Sequence, residues 1–231
     1  MKKTLLLLAG LLISSQALAE TITQQSGWAG WNGSFKFSEH WGSLSDVQIR
    51  SGDNWADTQN LMFRPGLTYF INSRSNFTVG YLWNGTLNTP GHDLVEHRIW
   101  QQYIYTQQLG SVPLTHRLRL EQRFIEQASG GDRRFAQRLR YFARSVIPLG
   151  HPDGAFTRGP FIGLQNEIFF NVQHRDAVNG AFFDQNRAYL AGGYRLSKQI
   201  DLELGYLNQY INGRVNDTLN HVVQFALYTR F

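Results

Sequence analysis

The chain has 231 residues, no cysteine and a formal charge of +5. That length suits one domain behind an export leader, and the lack of cysteine excludes a disulfide framework and a cysteine-linked lipid anchor. The charge is mild and almost wholly arginine, since Lys36 and Lys198 are the only lysines beyond Lys2 and Lys3.

The first residues read as an address. Lys2 and Lys3 precede an apolar run from Leu5 to Ile13, a polar exit at Ser14, Ser15 and Gln16, and Ala17-Leu18-Ala19. Small residues at Ala17 and Ala19 fit a secretory cleavage site, so residues 1–19 are expected to be a signal peptide and Glu20 the mature start. Cleavage would lower the formal charge to +3, because Lys2 and Lys3 leave with the leader. An uncleaved anchor fits less well, since the run is shorter than the roughly 18–20 residues that span a bilayer.

Period-2 alternation recurs from Trp31 to the end, and no useful helical period competes with it. In chain order the apolar positions are Trp31, Phe35 and Phe37, then Val47 and Ile49, then Leu61 to Tyr69, then Phe77 to Trp83. A weaker set follows at Ile99, Gln101, Tyr103 and Tyr105. The clearest set is Leu114, His116, Leu118, Leu120, Gln122 and Phe124. Five more sets begin at Phe135, Ile162, Ala188, Leu202 and Val223.

Eleven strands are therefore expected, with residues 31–231 as one β-domain. Short connections (38–40, 72–75, 110–113, 197–199) alternate with longer polar ones (51–57, 88–93, 127–133, 174–184, 212–220). Residues 150–159 take a short-set place but are longer. Such alternation suits an antiparallel transmembrane β-barrel of about 10–12 strands, with short periplasmic turns and longer outer loops. An odd count is unusual for a bacterial barrel, so either one of the eleven strands is misassigned or residues 20–30 add a strand or thread the lumen.

A soluble sandwich would also alternate apolar and polar residues. Two features favour the barrel. Aromatic residues gather near strand ends at Trp41, Tyr69, Phe77, Trp83, Tyr105, Phe124 and Phe135, as interfacial girdles do. The other face is arginine with scattered acids, which suits a crowded interior built on planar, bidentate pairs. Phe231 ends an alternating last strand, as the signal recognised by barrel insertion machinery does, although Thr229 stands where an aromatic is usual.

The inward phase holds Arg50, Arg64, Arg98, Arg117, Arg119, Arg123, Arg138, Arg140, Arg144, Arg187, Arg195 and Arg230. Its acids are Asp46, Glu96, Glu121, Glu167, Asp201 and Glu203. Thirteen of these form the candidate lumen network: Arg64, Glu96, Arg98, Arg117, Arg119, Glu121, Arg123, Arg138, Arg140, Arg144, Glu167, Arg187 and Glu203. Twelve Arg against six acids leave a formal surplus of six positive charges.

Several runs together resemble a bacterial family labelled domain of unknown function 2490. They include Phe63-Arg64-Pro65-Gly66, Glu96-His97-Arg98-Ile99-Trp100-Gln101-Gln102 and Leu118-Arg119-Leu120-Glu121-Gln122-Arg123-Phe124. Arg138-Leu139-Arg140-Tyr141, Asn166-Glu167-Ile168-Phe169, Asp184-Gln185-Asn186-Arg187 and Leu204-Gly205-Tyr206 complete the set. The resemblance covers Trp31 to Phe231 and implies an outer-membrane-type β-barrel. It carries no reaction.

The expected function is an outer-membrane barrel whose Arg-rich interior is a narrow channel or a binding pocket for small anionic solutes. The alternative is a plugged structural barrel acting through its outer loops. A membrane lipid-modifying hydrolase is a weaker third reading, because no nucleophile-elbow, zinc or phosphate-loop spacing occurs. The chain is expected to be neither an enzyme nor a cofactor protein. Its expected partners are outer-membrane lipid, the insertion machinery and an anion, with nucleic acid excluded because the Arg alternate along strands. His97, His116 and His221 fall on the apolar phase and read as interfacial packing.

Overall fold

The computed structural model describes residues 20–87, 92–110, 112–150 and 155–231. The expected leader and part of the expected loop at 88–93 lie outside them.

Strand-forming patterns fold here into one closed sheet. Its strands are β1 (Thr21–Lys36), β2 (Trp41–Ser51), β3 (Thr58–Arg64), β4 (Gly66–Phe70), β5 (Ser75–Thr86) and β6 (Leu94–Leu109). They continue with β7 (Val112–Ile125), β8 (Arg134–Pro148), β9 (Gly159–Gln173), β10 (Phe183–Ser197), β11 (Ile200–Ile211) and β12 (Asp217–Arg230). β3 and β4 both pair with β2 and with β5, so they are two halves of one stave interrupted at Pro65. Proline has no N–H to give a ladder, which explains the break within the run expected as one strand. The described residues therefore form a barrel of eleven staves.

Ten of the joins between staves are antiparallel. An odd number of alternating staves leaves the first and last running the same way, so β1 closes on β12 in parallel, from Thr21 opposite Asp217 to Ser34 opposite Arg230. The barrel is mixed, which corrects the purely antiparallel expectation. It also settles residues 20–30. From Thr21 onward they form the first part of β1 in the wall, and they do not thread the lumen. The domain boundary expected at residue 31 thus falls inside a strand.

The period of two sorts the side chains. The outward face carries Leu204, Leu67, Leu190 and Phe63, each more than half exposed. The inward face buries Glu121, Glu203, Asp201, Arg119 and Arg138. Outward aromatics mark both rims. Trp41 packs edge-on against Tyr69 at one end, and Phe124 meets Phe135 at the other. The three histidines of the apolar phase lie against tyrosines on this outer face: Tyr81 with His97, Tyr141 with His116, and Tyr206 with His221. The rim that holds connections 37–40, 71–74 and 198–199 is called lower below, and the opposite rim upper.

Candidate functional site: the arginine-lined interior

Strand register builds the interior from alternate positions. β7 offers Arg117, Arg119, Glu121 and Arg123, and β8 offers Arg138, Arg140, Phe142 and Arg144. Arg119 stands opposite Arg140, and Glu121 opposite Arg138. Like charges placed opposite each other on adjacent strands repel. Glu121 relieves this by sitting fully buried between them. Its Oε1 accepts from Arg140 Nη1 at 2.5 Å, and its Oε2 accepts from Arg138 Nη2 at 2.8 Å and Arg98 Nη1 at 3.5 Å. Arg119 Nη1 approaches the same carboxylate at 3.9 Å.

The network spreads from that carboxylate. Arg98 and Arg123 both hold Glu96, the first through two bonds of 2.7 Å and the second through Nε at 2.6 Å. Arg138 also reaches Asp184 at 2.9 Å. Arg140 and Arg117 share Glu167 Oε1 at 2.8 and 2.6 Å. Three smaller groups stand apart: Arg64 with Asp46, Arg144 with Glu203, and Arg195 and Arg230 with Asp201. Charges withdrawn from bulk water cost several kcal/mol each unless paired and hydrogen-bonded, and these groups meet that need for most of the interior.

Aromatic faces carry much of the remaining cost. Phe169, fully buried, lies under Arg140 at 4.5 Å, Arg187 at 4.7 Å and Arg138 at 5.0 Å. Trp100 lies under Arg119 at 4.5 Å, and Trp28 under Arg50 at 3.8 Å. Guanidinium over an aromatic ring is worth about 0.5–2 kcal/mol, the upper end applying when water is excluded. Trp100 reaches its place because two glycines make room. A Cβ at Gly80 would meet its ring at 2.2 Å, and one at Gly66 at 2.5 Å.

The thirteen expected network residues all lie in this interior, and twelve of them have a carboxylate or guanidinium partner. Arg187 is the exception. It bonds Gln185 Oε1 through Nε at 3.0 Å, with no carboxylate within salt-bridge distance among the described residues. Arg50, outside the thirteen, behaves alike and bonds Gln48 Oε1 at 2.7 Å. Among the described residues, ten of the twelve inward arginines are thus paired with acids and two are not.

Some residues of the site are not evident from polar chemistry. Trp28, Trp100 and Phe169 share the inward parity of Ser26, Arg98 and Glu167, so alternation would have placed them inside. Chemistry alone assigns such rings to lipid. Asp184 was expected in a loop. A register shift between Phe183 and Gln185 turns both Asp184 and Gln185 inward, as β-bulges do. With Asp184 the interior holds twelve Arg and seven acids, a surplus of five, in place of the expected six.

A closed β-barrel with a buried, arginine-dominated polar interior is the class defined by this fold and site. The chain belongs to the DUF2490 family, described as proteins of unknown function, whose model matches residues 25–220. No curated protein and no solved structure matches the chain.

Proposed function

We propose that the protein is an outer-membrane β-barrel whose interior binds, and sparingly passes, small anionic solutes. The observation that carries this reading is the inverted burial: charged groups fill the inside, while Leu67, Val79, Ile99, Leu118, Leu190 and Leu204 face outward. Soluble monomers rarely expose contiguous apolar patches beyond a few hundred Å². Lipid is the natural partner of such a surface. A 16-residue strand such as β1 extends about 53 Å at 3.3 Å per residue, ample for a tilted crossing of an apolar band about 25 Å tall. Secretory export through the leader at 1–19 and insertion through the Phe231 terminus belong to the same proposal.

The anion preference follows from the five surplus positive charges, because a low-dielectric wall concentrates counter-ions near such a field. The test has two arms. The protein should fractionate with the outer membrane, and recovery in the soluble periplasm would overturn the location. Purified protein in a planar bilayer should favour chloride over potassium, and cation preference would overturn the charge reading.

One observation favours a second reading. Glu121 gathers four guanidiniums at mid-barrel, which is how a plug would be built. Outer-membrane location without any conductance would select that structural barrel, acting through loops 52–57 and 174–182.

A further inference from the structure

Two cavities inside the barrel meet at the same four side chains, Arg50, Arg64, Arg140 and Arg187. The lower cavity, about 150 Å³, is reached by Asp46 and Glu167 as well as by arginines. The upper cavity, about 180 Å³, differs in kind. Every charged residue lining it is an arginine: the shared four together with Arg98, Arg123 and Arg138. Its neutral polar lining is Asn60, Asn84 and Gln185.

Most of these arginines are spoken for. Arg98 and Arg123 hold Glu96, Arg138 and Arg140 hold Glu121, and Arg64 holds Asp46. Arg50 and Arg187 donate to glutamine oxygens and lie over the Trp28 and Phe169 rings, with no carboxylate in salt-bridge distance among the described residues. In addition, the buried Nε of Arg50 and the buried Nε of Arg64 have no acceptor among the described residues. Arg64 is only 5% exposed, and an unmade bond to a charged donor there costs free energy until an acceptor arrives. Two cations without a salt-bridge partner and two donors without an acceptor thus belong to side chains that line one space, and no carboxylate is among its described lining residues.

We propose that the upper cavity is a binding site for a compact, doubly charged oxyanion of the size of inorganic phosphate or sulfate. Arg50 and Arg187 supply the compensating charge, and the Nε groups of Arg50 and Arg64 donate to its oxygens. Planar guanidinium forks suit tetrahedral oxyanions. The space falls below the roughly 300 Å³ at which pockets for drug-sized ligands begin, so it fits a free ion better than a nucleotide. The four-arginine collar would hold the ion above the lower cavity. This deepens the anion-interior reading and rests on it, but it does not depend on membrane location.

The test uses the purified full-length protein. Isothermal titration with inorganic phosphate, at fixed ionic strength in chloride, should show one site per chain. AMP should bind far more weakly than phosphate. The double variant Arg50→Gln/Arg187→Gln should weaken phosphate about tenfold or more, the loss expected for a charge-assisted hydrogen bond. Arg74→Gln, exposed in the lower turn 71–74, should leave affinity unchanged. Neither Arg50 nor Arg187 leaves an acid orphaned when neutralised, so the double variant should fold. Should it not fold, the wild-type melting midpoint decides: phosphate must raise it above an equal ionic strength of chloride. Absence of phosphate binding, equal binding by the double variant, or AMP binding as tightly as phosphate would overturn the proposal. Phosphate binding by a protein found in the soluble periplasm would sink the membrane reading alone.

Discussion

Arg140 donates from Nη1 to Glu121 Oε1 at 2.5 Å, and this contact joins two halves of the interior network. On one side Glu121 gathers Arg98, Arg119 and Arg138; on the other Arg140 leads to Glu167 and Arg117. A carboxylate that neutralises so many cations is hard to replace.

Glu121→Gln should therefore be strongly destabilising. The amide keeps the shape but leaves several buried guanidiniums without their counter-charge, a change that costs about 3–5 kcal/mol. Denaturant unfolding of the purified barrel should show it. A midpoint equal to wild type would mean that the Arg side chains find other acceptors. By the same logic Arg140 is a poor site for altering selectivity. Its removal would take from Glu121 its shortest contact and leave Glu167 with Arg117 as its salt-bridge partner among the described residues.

Neighbouring positions on β7 should respond oppositely to charge. Leu118 faces outward and is 48% exposed, whereas Arg119 is buried and bonds Gln102 Oε1 at 2.6 Å. Leu118→Arg should cost about 2–4 kcal/mol if the outer face meets lipid near the midplane. Arg119→Asn should instead loosen the interior. Cysteines placed at the two positions in native membranes should differ in labelling by water-soluble reagents. Ready and equal labelling at both would contradict a lipid-facing Leu118.

Gly80 should tolerate no side chain. The added atom would meet the Trp100 ring at 2.2 Å and the Pro65 carbonyl oxygen at 2.4 Å. The ring is fully buried and supports Arg119, so it has little room to yield. Gly80→Val should lower folding yield sharply, and overpacking of this kind typically costs 1–3 kcal/mol, about the range expected here. Gly192, whose Cβ would meet open space, is the matched control. A gel-shift assay of heat-modifiable migration would compare the two.

Closure of the barrel should depend on its last residue. Phe231 N donates to Ser34 O at 2.8 Å, its carbonyl accepts from Lys36 N at 2.7 Å, and its ring stacks on Phe35 at 5.7 Å. Phe231→Ala loses the stack, roughly 1 kcal/mol. Deleting the residue also removes the two backbone bonds, each worth roughly 1 kcal/mol net. Refolding into detergent should rank wild type, the alanine variant and the deletion in that order. A deletion that refolds like wild type but fails to assemble in cells would separate insertion signalling from seam stability.

Residue alternation in the sequence determines the all-β class, the rim-to-rim order of turns and the two faces. A period of two is local, and a hydrophobic phase such as Leu114 to Phe124 has only one way to lie against lipid or core. It also determines that the arginines share one side. What tertiary structure decides is which of them are paired. Arg119 and Arg187 look alike in sequence, yet one sits beside Glu121 and the other finds only Gln185, because partner distances depend on register between strands remote in the chain. The bulge that turns Asp184 inward, the break at Pro65 and the parallel seam between β1 and β12 are likewise invisible to alternation. The bulge and the seam arise from backbone pairing across the closed sheet, and the break from a proline with no N–H to give the ladder. Closure of an odd number of alternating staves forces the first and last to pair in parallel, and that condition belongs to the whole ring and to no single strand.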